Sequence, residues 1–108
     1  MTISSVCAVF AQNEVTGFLR DGKSMADVVA GACRATARRQ ISLLRKVGLD
    51  AGKLMFCGGV AKNVGVVKVL EEMLGSKVAI PPEPQIVGAL GAAVIARERS
   101  RKKLAAVK

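Results

Sequence analysis

Chemistry is written most densely into Leu54-Met55-Phe56-Cys57-Gly58-Gly59-Val60-Ala61-Lys62-Asn63. Four apolar residues run into two glycines, and a helical pattern starts just after Asn63. This order predicts a buried parallel strand, a tight turn and a helix N-terminus. In parallel α/β sheets ligands bind at the carboxyl ends of strands, where this turn falls. Glycines there carry no Cβ to hold a ligand away from the backbone. A plain structural turn fits the same residues. The remaining reactive groups are Cys7, Cys33 and Cys57, widely spaced, with no Cys-x-x-Cys pair and no histidine anywhere. The default for such a set is three reduced, mostly buried thiols. Three thiols without histidine do not complete a tetrahedral zinc or cluster site, so any metal would need ligands from elsewhere.

The elements that must position these groups follow from periodicity and punctuation. Residues 14–19 can form a short helix, and Asp21-Gly22-Lys23 is a turn. Ser24 caps a long helix from Met25 to about Val47, with Asp27 three residues later and Gly48 as the stop. Its expected core stripe is Met25, Val29, Ala32, Thr36, Gln40, Leu43 and Val47. Arg34, Arg38 and Arg45 then face solvent, and Ile41 is left as an apolar anomaly on the basic side. A loop over 49–53 leads to the strand 54–57. Asn63 caps a helix over 64–74, with Val66, Val67, Leu70, Met73 and Leu74 inward and Lys68, Glu71 and Glu72 toward water. After Gly75 comes a second strand over 77–80, then Pro81-Pro82-Glu83-Pro84, which blocks helix and central strand alike. The last helix is expected from about Gln85 to Arg99. It contains Gly88 and Gly91, each costing roughly 1 kcal/mol relative to alanine, so a packing or ligand reason is expected. The fold class is α/β. Two strands are too few for an independent sheet, which points to one part of a larger α/β domain. The expected division is a domain over 1–99 and a basic, poorly ordered tail over 100–108.

The chain has 108 residues, 51% of them hydrophobic, enough for one small domain with a core. Aromatics make up 3%, so small aliphatics must do the packing. The net charge of +9 is concentrated after residue 96 and on the long helix. No nucleic-acid motif occurs and few aromatics could stack on bases, so nucleic acid is not an expected partner. The basic residues read instead as a solvated face and a tail. No apolar run reaches the roughly 18 residues needed to span a bilayer. Residues 1–10 lack a basic n-region and a cleavage pattern. A cytoplasmic protein without a membrane partner is expected.

Three stretches, in this order, resemble one family. Ser4-Ser5-Val6-Cys7-Ala8-Val9-Phe10-Ala11-Gln12-Asn13-Glu14-Val15 resembles the cluster-cysteine segment of the activators of 2-hydroxyacyl-CoA dehydratases. That family includes the ATP-binding subunits of benzoyl-CoA reductase. Phe56-Cys57-Gly58-Gly59-Val60-Ala61-Lys62-Asn63 resembles its adenosine-binding turn, and residues 82–93 resemble its closing helix. The resemblance covers Ser4 to about Ala96. It implies the C-terminal subdomain of an actin-like ATPase fold, shared with sugar kinases and heat-shock chaperones. It also implies a homodimer holding one 4Fe-4S cluster between subunits. Binding and hydrolysis of ATP with Mg2+ would drive one electron to the partner dehydratase or reductase component.

Residue by residue, the resemblance makes Cys7 a cluster ligand, the metal site of this chain. It puts Gly58 and Gly59 against the adenosine part of ATP or ADP, with Lys62 and Gln85 as further nucleotide contacts. Gln85 follows three prolines at a helix start, and its amide could bond adenine or ribose. Lys62 equally fits an exposed lysine, and Glu14 fits either the cleft or its own helix start. Cys33 and Cys57 match no family ligand. If the two strands are parallel neighbours, the glycine turn and the Gln85 turn share one carboxyl edge, about 5 Å apart. The family's phosphate-binding loops, Mg-coordinating acids and second cysteine have no counterpart here, so no residue of this chain is expected to be catalytic. The alternatives are a sugar-kinase-like ATPase fragment without a cluster, and a basic non-enzymatic binding module.

Overall fold

Helix capping sets the framework. Ser24 Oγ accepts the Asp27 N–H at 3.1 Å and starts the long helix; Asn63 Oδ1 accepts the Val66 N–H at 3.2 Å and starts the next. The computed structural model describes residues 1–4, 7–48 and 53–107. Its helices are α1 (Ala8–Arg20), α2 (Met25–Lys46), α3 (Val64–Leu74) and α4 (Val87–Val107), with 3-10 turns at Gly59–Lys62 and Pro84–Ile86. Helix α1 starts well before residue 14, because Ala8, Ala11 and Gln12 favour helix and no glycine or proline interrupts it before Gly17. Gly75, with φ of 71°, closes α3 as expected. Most of the expected 49–53 loop lies outside the described residues.

The core lies between α2 and α3. Ala37, Ile41 and Leu70 are its buried centre, with Phe56, Val69, Leu74 and Val78 packed around them. The expected α2 stripe is corrected here. Val28, Gly31, Cys33, Ala37 and Ile41 are the buried positions, whereas Met25, Val29, Leu43 and Val47 are exposed. The helix serves two neighbours at once. Cys33, Ala37 and Ile41 recur every fourth residue along one side, while Ala32, Ala35, Thr36 and Arg39 line a cavity shared with Ala8, Ala11 and Val15 of α1. Arg38 and Arg45 are exposed as expected, but Arg34 is half-buried. In α3, Val66 and Leu70 are buried, while Met73 is exposed. Glu71 does not simply face water: its carboxylate accepts the Val78 N–H at 3.1 Å and so ties residues 77–80 to α3.

The two expected strands lie side by side and parallel, but they pair through a single bridge, Met55 with Ala79. Ala79 N–H donates to Leu54 O and Phe56 N–H to Ala79 O, each at 2.8 Å. Gly58 turns one segment away and Pro81 stops the other, so neither can extend the ladder. Met55 is exposed rather than buried. Helix dominates the described residues, and the sheet half of the α/β expectation amounts to this bridge.

Helix α4 runs to Val107, past the expected end at Arg99 and through the tail expected to be poorly ordered. No glycine or proline follows Gly91, and the alanines, lysines and arginines there are good helix formers. Among the described residues nothing lies within 4 Å of a Cβ placed on Gly88 or Gly91, and α4 buries no residue. The close packing expected of its small residues is therefore absent here. The molecule is long, 70 × 30 × 26 Å, with a radius of gyration of 19.0 Å. A compact domain of this length would have about 13 Å. Because residues 101–107 touch no core, deleting residues 101–108 is expected to change stability by less than about 0.5 kcal/mol. A larger fall in melting temperature would show that the helix end packs somewhere.

Candidate functional site

The turn at Gly58 is a backbone requirement. Its φ of 96° and ψ of 176° lie where side chains are strongly disfavoured. The Gly58 N–H donates to the Pro84 carbonyl at 2.7 Å, and the Gly58 carbonyl accepts from Ala61 N–H at 3.2 Å. The first bond joins the two turns directly. Ala61 and Pro84 are buried beneath them, while Gly59, Lys62 and Gln85 are exposed. A Cβ placed on Gly59 would lie 3.4 Å from Gln85 Nε2. The parallel bridge thus brings the glycine turn and the Gln85 turn onto one edge, as their position after two strands predicts.

The result is a shelf open to solvent. It offers bare glycine backbone, the Gln85 carboxamide with both donors and an acceptor, and the Lys62 ammonium at the end of the first 3-10 turn. These are hydrogen-bonding and charged groups. Among the described residues no cluster of three or more His, Cys, Asp or Glu side chains could hold a metal ion. Pro84, whose carbonyl holds the glycine turn, escaped the sequence reading, since a proline run signals only a break in regular structure.

The cysteines are not brought together. Cys7 is exposed at the N-cap of α1; its carbonyl accepts the Ala11 N–H at 2.9 Å and its thiol makes no capping bond. Cys33 is buried against α3, where a Cβ on Gly65 would approach its Sγ to 2.9 Å. Cys57 is half-buried beside the bridge, not enclosed in a strand as expected. Glu14 faces the N-terminal segment: its carboxylate accepts both the Ser4 N–H and the Ser4 Oγ–H at 3.0 Å. That clasp spans ten residues and left no mark in the local pattern. Thiol labelling of native protein should modify Cys7 first and Cys33 last, because reactivity needs access. Faster labelling of Cys33 than Cys7 would contradict the packing of α2 on α3.

Residues 1–96 match the family described as the BadF/BadG/BcrA/BcrD ATPase family. The chain is 36% identical over 108 residues to the 2-hydroxyisocaproyl-CoA dehydratase activator of Clostridioides difficile, covering 100% of this chain and 40% of that protein. It is 43% identical over 101 residues to the activator of lactoyl-CoA dehydratase of Anaerotignum propionicum, covering 94% and 39%. The solved activator of the 2-hydroxyisocaproyl-CoA dehydratase, with bound ADPNP, matches the structure with a TM-score of 0.80 at 36% identity, covering 100% of this chain and 40% of that one. Component A of the (R)-2-hydroxyglutaryl-CoA dehydratase of Acidaminococcus fermentans matches with a TM-score of 0.81 at 42% identity, covering 94% and 39%. The chain thus spans about two fifths of the relatives it matches. On the match over residues 1–96, the chain belongs to the BadF/BadG/BcrA/BcrD ATPase family.

Proposed function

We propose that this chain is the C-terminal part of an ATP-dependent electron-transfer activator of a 2-hydroxyacyl-CoA dehydratase or benzoyl-CoA reductase component. The observation that carries the nucleotide half is the joining of two turns, with Gly58 N–H on the Pro84 carbonyl at 2.7 Å. In this reading Gly58, Gly59, Lys62 and Gln85 hold the adenosine end of ATP or ADP. The phosphates and Mg2+ belong to the rest of an actin-like ATPase domain. Relatives named as dehydratase activators, one of them solved with ADPNP, support the assignment.

A 4Fe-4S cluster takes four thiolate ligands. Cys7 fits as one of them, since its thiol is exposed and free of a capping bond. Cys33 does not fit, since it is buried between helices. A cluster shared by the two subunits of a homodimer is consistent with one exposed thiol, and when bound it would supply one-electron transfer. The protein works in the cytoplasm beside its partner.

Calorimetry with ATP on the wild type and Gly59→Val is the test. Binding by the wild type is expected to be weak and to fall about tenfold in the variant, a loss of about 1.4 kcal/mol. Equal affinities would reduce the glycine pair to a structural turn. Anaerobic reconstitution of the full-length protein with iron and sulfide separates this reading from a cluster-free ATPase: Cys7→Ala there should abolish a brown species, and a colour that survives would place the ligands elsewhere.

A further inference from the structure

Helix α1 carries Cys7 at its start but buries none of its own residues, so packing alone does not fix where that start lies. The segment before it is anchored twice. Ile3 is 6% exposed, and a Cβ placed on Gly31 of α2 would lie 3.7 Å from Met1 Cε and 4.0 Å from Ile3 Cδ1. Ser4 is exposed, yet its N–H and its Oγ–H both donate to the Glu14 carboxylate, one to each oxygen, at 3.0 Å. Hydrogen bonds to an ionised acceptor are roughly twice as strong as neutral ones. Glu14 lies two turns beyond Cys7 along the same side of α1. Only three peptide steps join Ser4 to Cys7, a reach of about 10 Å, so a fixed Ser4 leaves Cys7 little freedom. From the helix side Cys7 is held by its carbonyl, which accepts the Ala11 N–H at 2.9 Å. Neither anchor uses the thiol, which stays exposed.

We infer that Glu14 is a positioning residue for Cys7: by clasping Ser4 to α1 it fixes the place from which the thiol can ligate. This rests on the cluster reading above. A ligand holds metal best when further bonds set its own position, and losing such a bond typically costs about 10–100-fold in metal affinity. Glu14 supplies those bonds through the chain, by way of Ser4. Its negative charge is not the essential feature. A glutamine in its place can accept the Ser4 N–H with its oxygen and donate to Ser4 Oγ with its amide, so the clasp survives without the charge.

The test is iron retention against a chelator by the reconstituted full-length protein, for the wild type, Glu14→Ala, Glu14→Gln and Ser4→Ala, with melting of each iron-free protein followed alongside. Glu14→Ala should hold iron about tenfold less tightly or worse. Glu14→Gln should stay within about twofold of the wild type, and Ser4→Ala, which keeps the N–H bond, should fall between. A nitroxide on Cys7 in the iron-free Cys33→Ala/Cys57→Ala background reads the tether without a cluster, and Glu14→Ala should make it more mobile. Ser4→Ala changes an exposed side chain, so it still decides the matter if Glu14→Ala does not fold. Wild-type iron retention or unchanged nitroxide mobility in Glu14→Ala would overturn the inference alone. So would a loss in Glu14→Gln equal to that in Glu14→Ala, since charge rather than the clasp would then matter. A melting temperature that falls while iron retention holds would leave Glu14 a structural role only and overturn the inference too. Failure of the wild type to form a brown species would overturn the cluster reading, and this inference with it.

Discussion

Ile41→Ala is expected to destabilise the protein by about 3 kcal/mol, while Leu43→Ala two positions later costs less than about 0.5 kcal/mol. Ile41 is 7% exposed and packs with Ala37 and Leu70; Leu43 is 49% exposed. Removing three carbons at Ile41 loses their transfer energy and leaves a space that Ala37 is too small to fill. At about 4–8 °C per kcal/mol for a domain near this size, the first variant should melt roughly 10–20 °C lower. Thermal unfolding followed by circular dichroism reads both. Equal losses at the two positions would restore the stripe expected from the sequence and refute the observed face of α2.

That pair of residues shows why the helix was legible and its orientation was not. Ser24, Asp27 and Gly48 mark the ends of α2 by local bonds, and such signals act within a few residues. The buried side depends on partners far away in sequence. Here the side facing α3 is built from Cys33, Ala37 and Ile41, and small residues weigh little in a hydrophobicity pattern. The larger Met25, Val29, Leu43 and Val47 outweighed them, although they lie exposed. The feature that fitted no expected stripe, Ile41, was the centre of the core.

Gly65→Ala is expected to lower stability by about 1 kcal/mol or more, even though alanine is the better helix former by roughly that amount. A Cβ at this position in the first turn of α3 would come within 2.9 Å of Cys33 Sγ and 3.3 Å of Asn63 Oδ1. The first is closer than atoms of folded proteins pack, and the second belongs to the oxygen that caps the helix. Overpacking of this kind typically costs 1–3 kcal/mol. The thiol is buried and has one side-chain torsion, so it has little room to retreat. Urea unfolding of Gly65→Ala, Cys33→Ala and the double variant forms a cycle. Gly65→Ala should become neutral or stabilising once Cys33 is alanine, with a coupling of about 1 kcal/mol or more. Simple additivity would mean that the two helices do not meet here.

The placement of the two turns was more readable than the core around them. Gly58-Gly59 and Gln85 each follow an extended segment, so a parallel pairing of those segments brings them together whatever the number of strands. One bridge is enough, as Met55 and Ala79 show. The difference between the two glycines was not readable: Gly58 has a φ of 96°, whereas a Cβ on Gly59 would lie 3.4 Å from the Nε2 of Gln85, 26 positions away. The extent of α4 was missed for a different reason: the charge run over 97–103 suggested a tail, yet lysine and arginine hold a helix well.

Helix α4 also sets how this molecule breathes. Hydrogen bonds that no tertiary contact protects open by local helix–coil fluctuation, whereas those under a core open only when the core does. Backbone amides of residues 92–107 should therefore trade their protons for deuterons early and independently of denaturant. Those of residues 66–74, beneath Ile41 and Leu70, should exchange last and speed up with denaturant. One chain would then carry two exchange clocks, meeting at the bond between Gly58 and Pro84.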